Sequence, residues 1–153
     1  MSATALHHLL QQDLDNTTDL IALLREERSL LAKRDIENLN GTLMRKAELL
    51  AKIESNDAQR KNILATEGYA VSNEGMKQFC IDNAADETIF DKLQANIRQC
   101  SELTDINGAI VHRSRMNTRQ VLDILQGKVA GSSTYTSQGG TNKASESTAI
   151  AKA

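Results

Sequence analysis

The side chains that most often carry chemistry in proteins are few and scattered in this chain. His7 and His8 are neighbours, so on a helix their rings point about 100° apart and cannot share a metal ion as an i, i+4 pair would. His112 is distant in sequence, and Cys80 and Cys100 do not form a Cys-x-x-Cys motif. We expect no metal centre and no disulfide framework, and two reduced thiols that behave as small apolar side chains.

The carboxylates show no catalytic pairing either. Between residues 25 and 48 they lie among arginines and lysines, a mixture typical of a solvated helix face. The glycine-rich patterns that cradle phosphates and dinucleotides are absent, and so is the Glu-x-x-His pattern of di-iron helical bundles. We therefore predict that the protein is not an enzyme and needs no cofactor.

Composition narrows the class of partner. The chain has 153 residues, a formal net charge of −2 and only 3% aromatic residues. Charges of both signs are interspersed, without the polybasic stripe that nucleic-acid binding requires. No segment approaches the roughly 20 apolar residues that cross a bilayer, and the N-terminus lacks a basic leader region. We expect a cytoplasmic protein without nucleic-acid binding or membrane insertion.

The elements that position these residues are predicted from apolar spacing. A first helix runs from about Leu6 to Lys33, and a second, with Asp35 as its N-cap, runs from about Ile36 to Ala65. Thr4 is a plausible N-cap of the first. Because only one or two residues join the helices, we expect them to fold back antiparallel and bury both seams. The seam predicted for the second helix is Ile36, Leu39, Leu43, Ala47, Leu50, Ile53 and Leu64.

The remaining body contains one short and one long helix. Gly68 is a candidate for the left-handed residue that ends the second helix. A short helix from about Glu74 to Ile81 follows, and a third long helix of about 40 residues opens after Asp86. The short helix is expected to bury Met76, Phe79 and Cys80, and the long seam continues from Phe90 to Ile124.

Two asparagines interrupt the apolar seam of the third long helix. A buried amide must find hydrogen-bond partners, so Asn107 and Asn117 have two interpretations. In the first, they fix register and alignment between packed helices. In the second, they mark where the seam opens toward a binding partner.

The sequence changes character near Gly127. The residues that follow are rich in Ser, Thr, Gly and Ala, and cannot offset their ordering entropy by apolar burial. We predict an all-α fold: an elongated antiparallel bundle or coiled coil of three long helices plus a short one in residues 1–130, and a flexible, disordered tail in residues 131–153. Tyr135 is the only large side chain of that tail.

Three landmarks in this order resemble the FlgN family of flagellar export chaperones. The first is Leu30-Leu31-Ala32-Lys33-Arg34-Asp35-Ile36-Glu37-Asn38-Leu39, followed by Lys46, Leu49-Leu50 and Arg60. The second is Ile106-Asn107-Gly108-Ala109-Ile110-Val111, with Asn117 and the apolar turn Val121–Leu125 after it. The third is Tyr135-Thr136-Ser137-Gln138-Gly139. The resemblance covers about residues 5 to 140.

The resemblance implies a cytosolic chaperone of the flagellar type III export system. Its clients would be hook-filament junction proteins, bound at their C-terminal helical segments so that they do not assemble prematurely. By analogy with the family, Tyr135 would dock at the flagellar export gate. The apolar C-terminal end of the third long helix suits the addition of a client helix. The client-binding residues are then Val121, Leu122, Ile124, Leu125 and Val129.

The sequence also allows a protein of another functional class. The chain would be a structural coiled-coil subunit or adaptor, with its third long helix dimerising permanently and with no client-transfer role. Weak self-association of the free protein is also left open.

Overall fold

The computed structural model describes residues 2–85 and 87–127. Four helices follow one another: α1 (Ser2–Lys33), α2 (Ile36–Thr66), α3 (Asn73–Asp82) and α4 (Glu87–Leu125). The described residues contain no strand, which confirms the predicted all-α fold of three long helices and a short one. The tail predicted for residues 131–153, and its boundary at residue 130, lie outside the described residues.

The turn between α1 and α2 is closed by local hydrogen bonds. Arg34 adopts a left-handed conformation with φ of 57°, and the Asp35 N–H donates to the carbonyl of Leu30 at 3.0 Å. The Asp35 carboxylate accepts from the Asn38 side chain at 2.7 Å and from its backbone N–H at 3.2 Å. These bonds lower the pKa of Asp35. The predicted N-cap of α2 is thus confirmed, whereas Thr4 is not the N-cap of α1, which begins at Ser2.

Side-chain pairs fix the direction in which α1 and α2 pack. The Ser2 hydroxyl donates to Glu67 Oε1 at 2.6 Å near the ends of the two helices. Farther along, Lys46 Nζ lies 2.7 Å from Glu27 Oε2. From the first pair to the second, the residue number rises in α1 and falls in α2. The two helices are therefore antiparallel, as predicted.

The part of α4 that ends at Gly108 packs beside α1 in the parallel sense. Asn96 Nδ2 donates to Thr17 Oγ1 at 3.0 Å, and Asn107 Nδ2 donates to the Leu24 carbonyl at 3.0 Å. From the first pair to the second, the residue number rises in both helices, so α1 and this part of α4 run in the same direction. The described residues divide into two units, one that ends at Gly108 and one that begins at Ala109, and the first contains a bundle of α1, α2, α3 and the beginning of α4.

Two apolar clusters form the core of that bundle. The first is closed by α3, whose Met76, Phe79 and Cys80 are buried as predicted. The φ of Gly68 is +84°, and the Tyr69 N–H donates to the Leu64 carbonyl at 2.8 Å, as expected for the end of α2. The first cluster comprises Leu6, Leu10, Leu64, Met76, Phe79, Cys80, Ile89, Phe90 and Leu93, and the second Leu20, Ile21, Leu24, Cys100 and Leu103.

The predicted seam of α2 is wrong for four of its residues. Ile36, Leu43, Ala47 and Leu50 are exposed. The face that α2 buries instead carries Thr42, Asn56, Arg60 and Leu64. Asn56 and Arg60 pair with Asp13 on α1, and the Thr42 hydroxyl donates to the Leu39 carbonyl of α2 itself. An apolar periodicity cannot reveal a buried face that is largely polar.

Candidate protein-binding surface

A buried ion pair separates the two apolar clusters. The Arg60 guanidinium forms an ion pair with the Asp13 carboxylate, and both side chains are at least nine-tenths buried. Asn56 Nδ2 donates to Asp13 Oδ1 at 2.9 Å, and Asp57 Oδ1 lies 3.3 Å from an Arg60 nitrogen. Desolvation by burial lowers the pKa of Arg60. Because a misaligned helix would leave these charges unpaired in the core, the pair fixes the alignment of α1 and α2.

A second polar cluster ties three helices together around Asn107. The Asn107 amide nitrogen donates to Glu27 Oε1 at 2.7 Å as well as to the Leu24 carbonyl. The other oxygen of Glu27 accepts from Lys46 Nζ at 2.7 Å. In this geometry the amide aligns α4 with α1, which is the role described by the first interpretation of Asn107.

The described residues offer no arrangement for metal or thiol chemistry. No three His, Cys, Asp or Glu side chains among residues 2–85 and 87–127 are grouped to hold a metal ion. Cys80 and Cys100 are both buried. Burial raises the pKa of Cys100, and a buried protonated thiol is a poor nucleophile.

The C-terminal part of α4 presents a continuous apolar surface. The apolar residues at positions 121, 122, 124 and 125 lie within little more than one turn of α4, and their side chains are between 49% and 76% exposed. Their spacing of one, three and four residues covers one side of the helix. The helix ends directly afterwards, with Gly127 at φ of +76° and its N–H donating to the Ile124 carbonyl at 3.0 Å. We refer to Val121, Leu122, Ile124 and Leu125 as the terminal apolar surface.

Basic side chains flank the terminal apolar surface. Arg115 and Arg119 precede Leu122 by seven and three residues, spacings that place all three on the same side of α4. Both arginines are exposed, whereas Asp123 is half-buried. The terminal apolar surface therefore has a basic margin, although the whole chain is slightly acidic.

The two seam asparagines have different surroundings. Asn107 is buried. Asn117 is exposed and lies one turn before Val121 on the same side of α4. The other predicted site residues, Val129 and Tyr135, lie outside the described residues.

The spacing of the buried polar residues marks them as seam residues in the sequence itself. Asp13 and Glu27 alternate with leucines at steps of three and four residues, so they occupy seam positions of α1. The seam reads Leu6, Leu10, Asp13, Thr17, Leu20, Leu24 and Glu27. Aspartate and glutamate are rarely buried unless paired, which is why periodicity alone assigns such positions to the solvent. Lys46 and Arg60, two landmarks of the family resemblance, are the partners of these carboxylates.

The described helices include none that is long and apolar enough to cross a membrane. Among curated proteins, no relative matches the chain. Among solved structures, the chain is similar to a protein from Pseudomonas aeruginosa that is described as a flagella synthesis protein FlgN. The two share 24% sequence identity and a TM-score of 0.62 over 77% of this chain and 93% of the other, a likeness that supports the fold.

The sequence itself matches a family over most of its length. The model of the FlgN protein family covers residues 1–143, which include all four helices and the terminal apolar surface. Because this match spans nearly the whole sequence, the chain belongs to the FlgN family and is thereby related to the biogenesis of bacterial flagella.

Proposed function

We propose that the protein is a cytoplasmic chaperone for flagellar type III export. It binds the C-terminal helical segments of hook-filament junction proteins, prevents their premature assembly and delivers them to the export gate. The observation that supports this proposal is the terminal apolar surface of α4, where four large aliphatic side chains are exposed side by side.

The terminal apolar surface has the chemistry of a helix-binding site. An amphipathic client helix carries apolar side chains at spacings of three and four residues, the same spacings that relate Val121 to Ile124 and Leu125. Burying each of these partly exposed side chains contributes about 1–2 kcal/mol. Such a gain captures an unassembled helix and still permits its release, because association and side-chain ordering offset part of it.

The basic margin adds selectivity for the client. Arg115 and Arg119 favour a helix with acidic residues beside its apolar face, because opposite charges steer encounter and fix register. Since exposed ion pairs are screened by salt, client association should slow as ionic strength rises, while apolar capture persists.

Capture is tested by placing charge on the terminal apolar surface. The double variant Ile124→Asp/Leu125→Asp should lose client binding in a pull-down assay, because a carboxylate buried without a partner costs several kcal/mol. Both side chains are exposed in the free chain, so circular dichroism and the melting temperature should not change. Ile81→Asp is the control, because Ile81 is an isoleucine on α3 whose exposure is close to that of Ile124, and this variant should bind client normally.

Delivery is tested separately at Tyr135. Tyr135→Ala should bind client almost normally but reduce the junction proteins found in culture supernatants, because delivery needs the export gate and capture does not. Normal secretion by this variant would mean that the tyrosine has no docking role. Normal client binding by the Asp pair would place the client site elsewhere. Failure of the unmodified chain to bind any junction protein would instead favour a structural coiled-coil subunit.

A further inference from the structure

A second exposed apolar surface lies on α2 and includes none of the residues used in the proposed function. Ile36 is 65% exposed and Met44 is 71% exposed, and Leu43 and Leu50 are about half exposed. Uncharged residues between them complete the surface and are exposed as well. We refer to Ile36, Asn40, Leu43, Met44, Ala47, Leu50 and Ala51 as the α2 face.

The spacing of the α2 face is that of a helix-pairing seam. Ile36, Leu43 and Leu50 are seven residues apart, the repeat that keeps apolar side chains along one line between two helices. Ala47 and Ala51 have small side chains, which allow a second backbone to approach closely. Single exposed apolar residues are ordinary on protein surfaces, but a contiguous patch indicates an interaction site.

Opposite charges stand at the two ends of the α2 face. Lys33 and Arg34 are exposed before it, and Asp35, which separates them from Ile36, is partly buried with its carboxylate bonded to Asn38. Glu54 is exposed after it and follows Ile36 by about five full turns, so the two lie on the same side of α2. No charged residue belongs to the face itself.

This charge pattern favours pairing of α2 with its own copy. In an antiparallel pair, Glu54 of each chain lies opposite Lys33 and Arg34 of the other, at both ends of the contact. A parallel pair would instead place like charges opposite each other, which is unfavourable. The uncharged centre pairs with itself without repulsion.

We propose that the α2 face binds a second copy of this chain, with the two α2 helices antiparallel about a two-fold axis near Leu43 and Met44. Ile36 of one copy then packs against Leu50 and Ala51 of the other. Such a contact is isologous: each surface is its own complement, as in most homodimers.

Charge reversal tests the antiparallel register. Analytical ultracentrifugation of the full chain over a wide concentration range should show a reversible monomer–dimer equilibrium. Glu54→Lys alone, and Lys33→Glu/Arg34→Glu alone, should each raise the dimer dissociation constant about tenfold, because like charges then meet at both ends. An equimolar mixture of the two variants should restore the dimer, since both ends of the mixed pair are again complementary.

Two further variants separate this contact from misfolding and from client binding. Leu43→Glu should abolish the dimer, whereas Ile81→Glu, at an exposed position on α3, should leave it unchanged. All variants should keep their helical circular dichroism and their client binding. A chain that is monomeric at every concentration, or a mixture that fails to restore the dimer, would overturn the proposal. Loss of client binding in Leu43→Glu, without a change in oligomeric state, would identify a client helix as the occupant instead.

Discussion

At the scale of single residues, charged side chains form ion pairs in the core of this protein as well as on its surface. Asp13 and Arg60 form a pair in the core, while Glu26 and Arg45 form a pair of the same chemistry that is about half exposed. Removing one partner of a buried pair leaves an isolated charge in a medium that solvates it poorly. Removing one partner of an exposed pair returns the other to water.

This contrast predicts very different costs for two arginine substitutions. Arg60→Met should lower the free energy of unfolding by about 3–5 kcal/mol, because the Asp13 carboxylate remains buried without a counter-charge. Arg45→Ala should lower it by less than about 1 kcal/mol. Urea denaturation measures both. The double variant Asp13→Leu/Arg60→Met should recover most of the loss, and a double variant no better than Arg60→Met alone would contradict this account.

At the scale of elements, the sequence predicts the helices better than the faces they bury. Asp35 and Gly68 mark the ends of α2 by local chemistry, so its bounds could be predicted. The buried face of α2 could not, because Asn56 and Arg60 occupy it and Leu43 does not. The terminal apolar surface could be predicted as apolar from its spacing. Its assignment to client binding also required it to be exposed, and Val121, Leu122, Ile124 and Leu125 are exposed.

Three glycines lie within helices, and the space around each one shows how closely neighbouring elements pack against it. A Cβ added at Gly41 or Gly108 would meet no atom within 4 Å. Gly75, near the start of α3, faces the backbone of Ala70, and a Cβ there would overlap the Ala70 carbonyl oxygen. The first two positions therefore carry the entropic cost of glycine without a steric reason.

Alanine should accordingly have opposite effects at these positions. Gly41→Ala and Gly108→Ala should each raise the free energy of unfolding by about 0.5–1 kcal/mol, because alanine restricts the unfolded chain and favours the helix. Gly75→Ala should lower it, since α3 must move away from Ala70. Thermal unfolding followed by circular dichroism compares the three. A stabilised Gly75→Ala variant would show that α3 adjusts freely.

At the scale of the whole molecule, the proposed function assigns stability and client capture to different parts of the chain. Both apolar clusters and both polar clusters lie within Met1–Gly108. The terminal apolar surface belongs to the second unit, which begins at Ala109. The proposed chaperone function would benefit from this separation, because a client-binding surface must stay exposed until a client arrives and therefore cannot also form the core.

The separation predicts the behaviour of a shortened chain. A variant that ends at Ser114 keeps Asn107 about two turns from its new end and retains every buried cluster. It should unfold cooperatively and melt within about 5 °C of the full chain, a shift that corresponds to roughly 1 kcal/mol. Client pull-down should fail, as for Ile124→Asp/Leu125→Asp in the full chain. A shortened chain that does not fold would show that residues beyond 114 contribute to the core, whereas one that still binds client would place capture on the bundle itself.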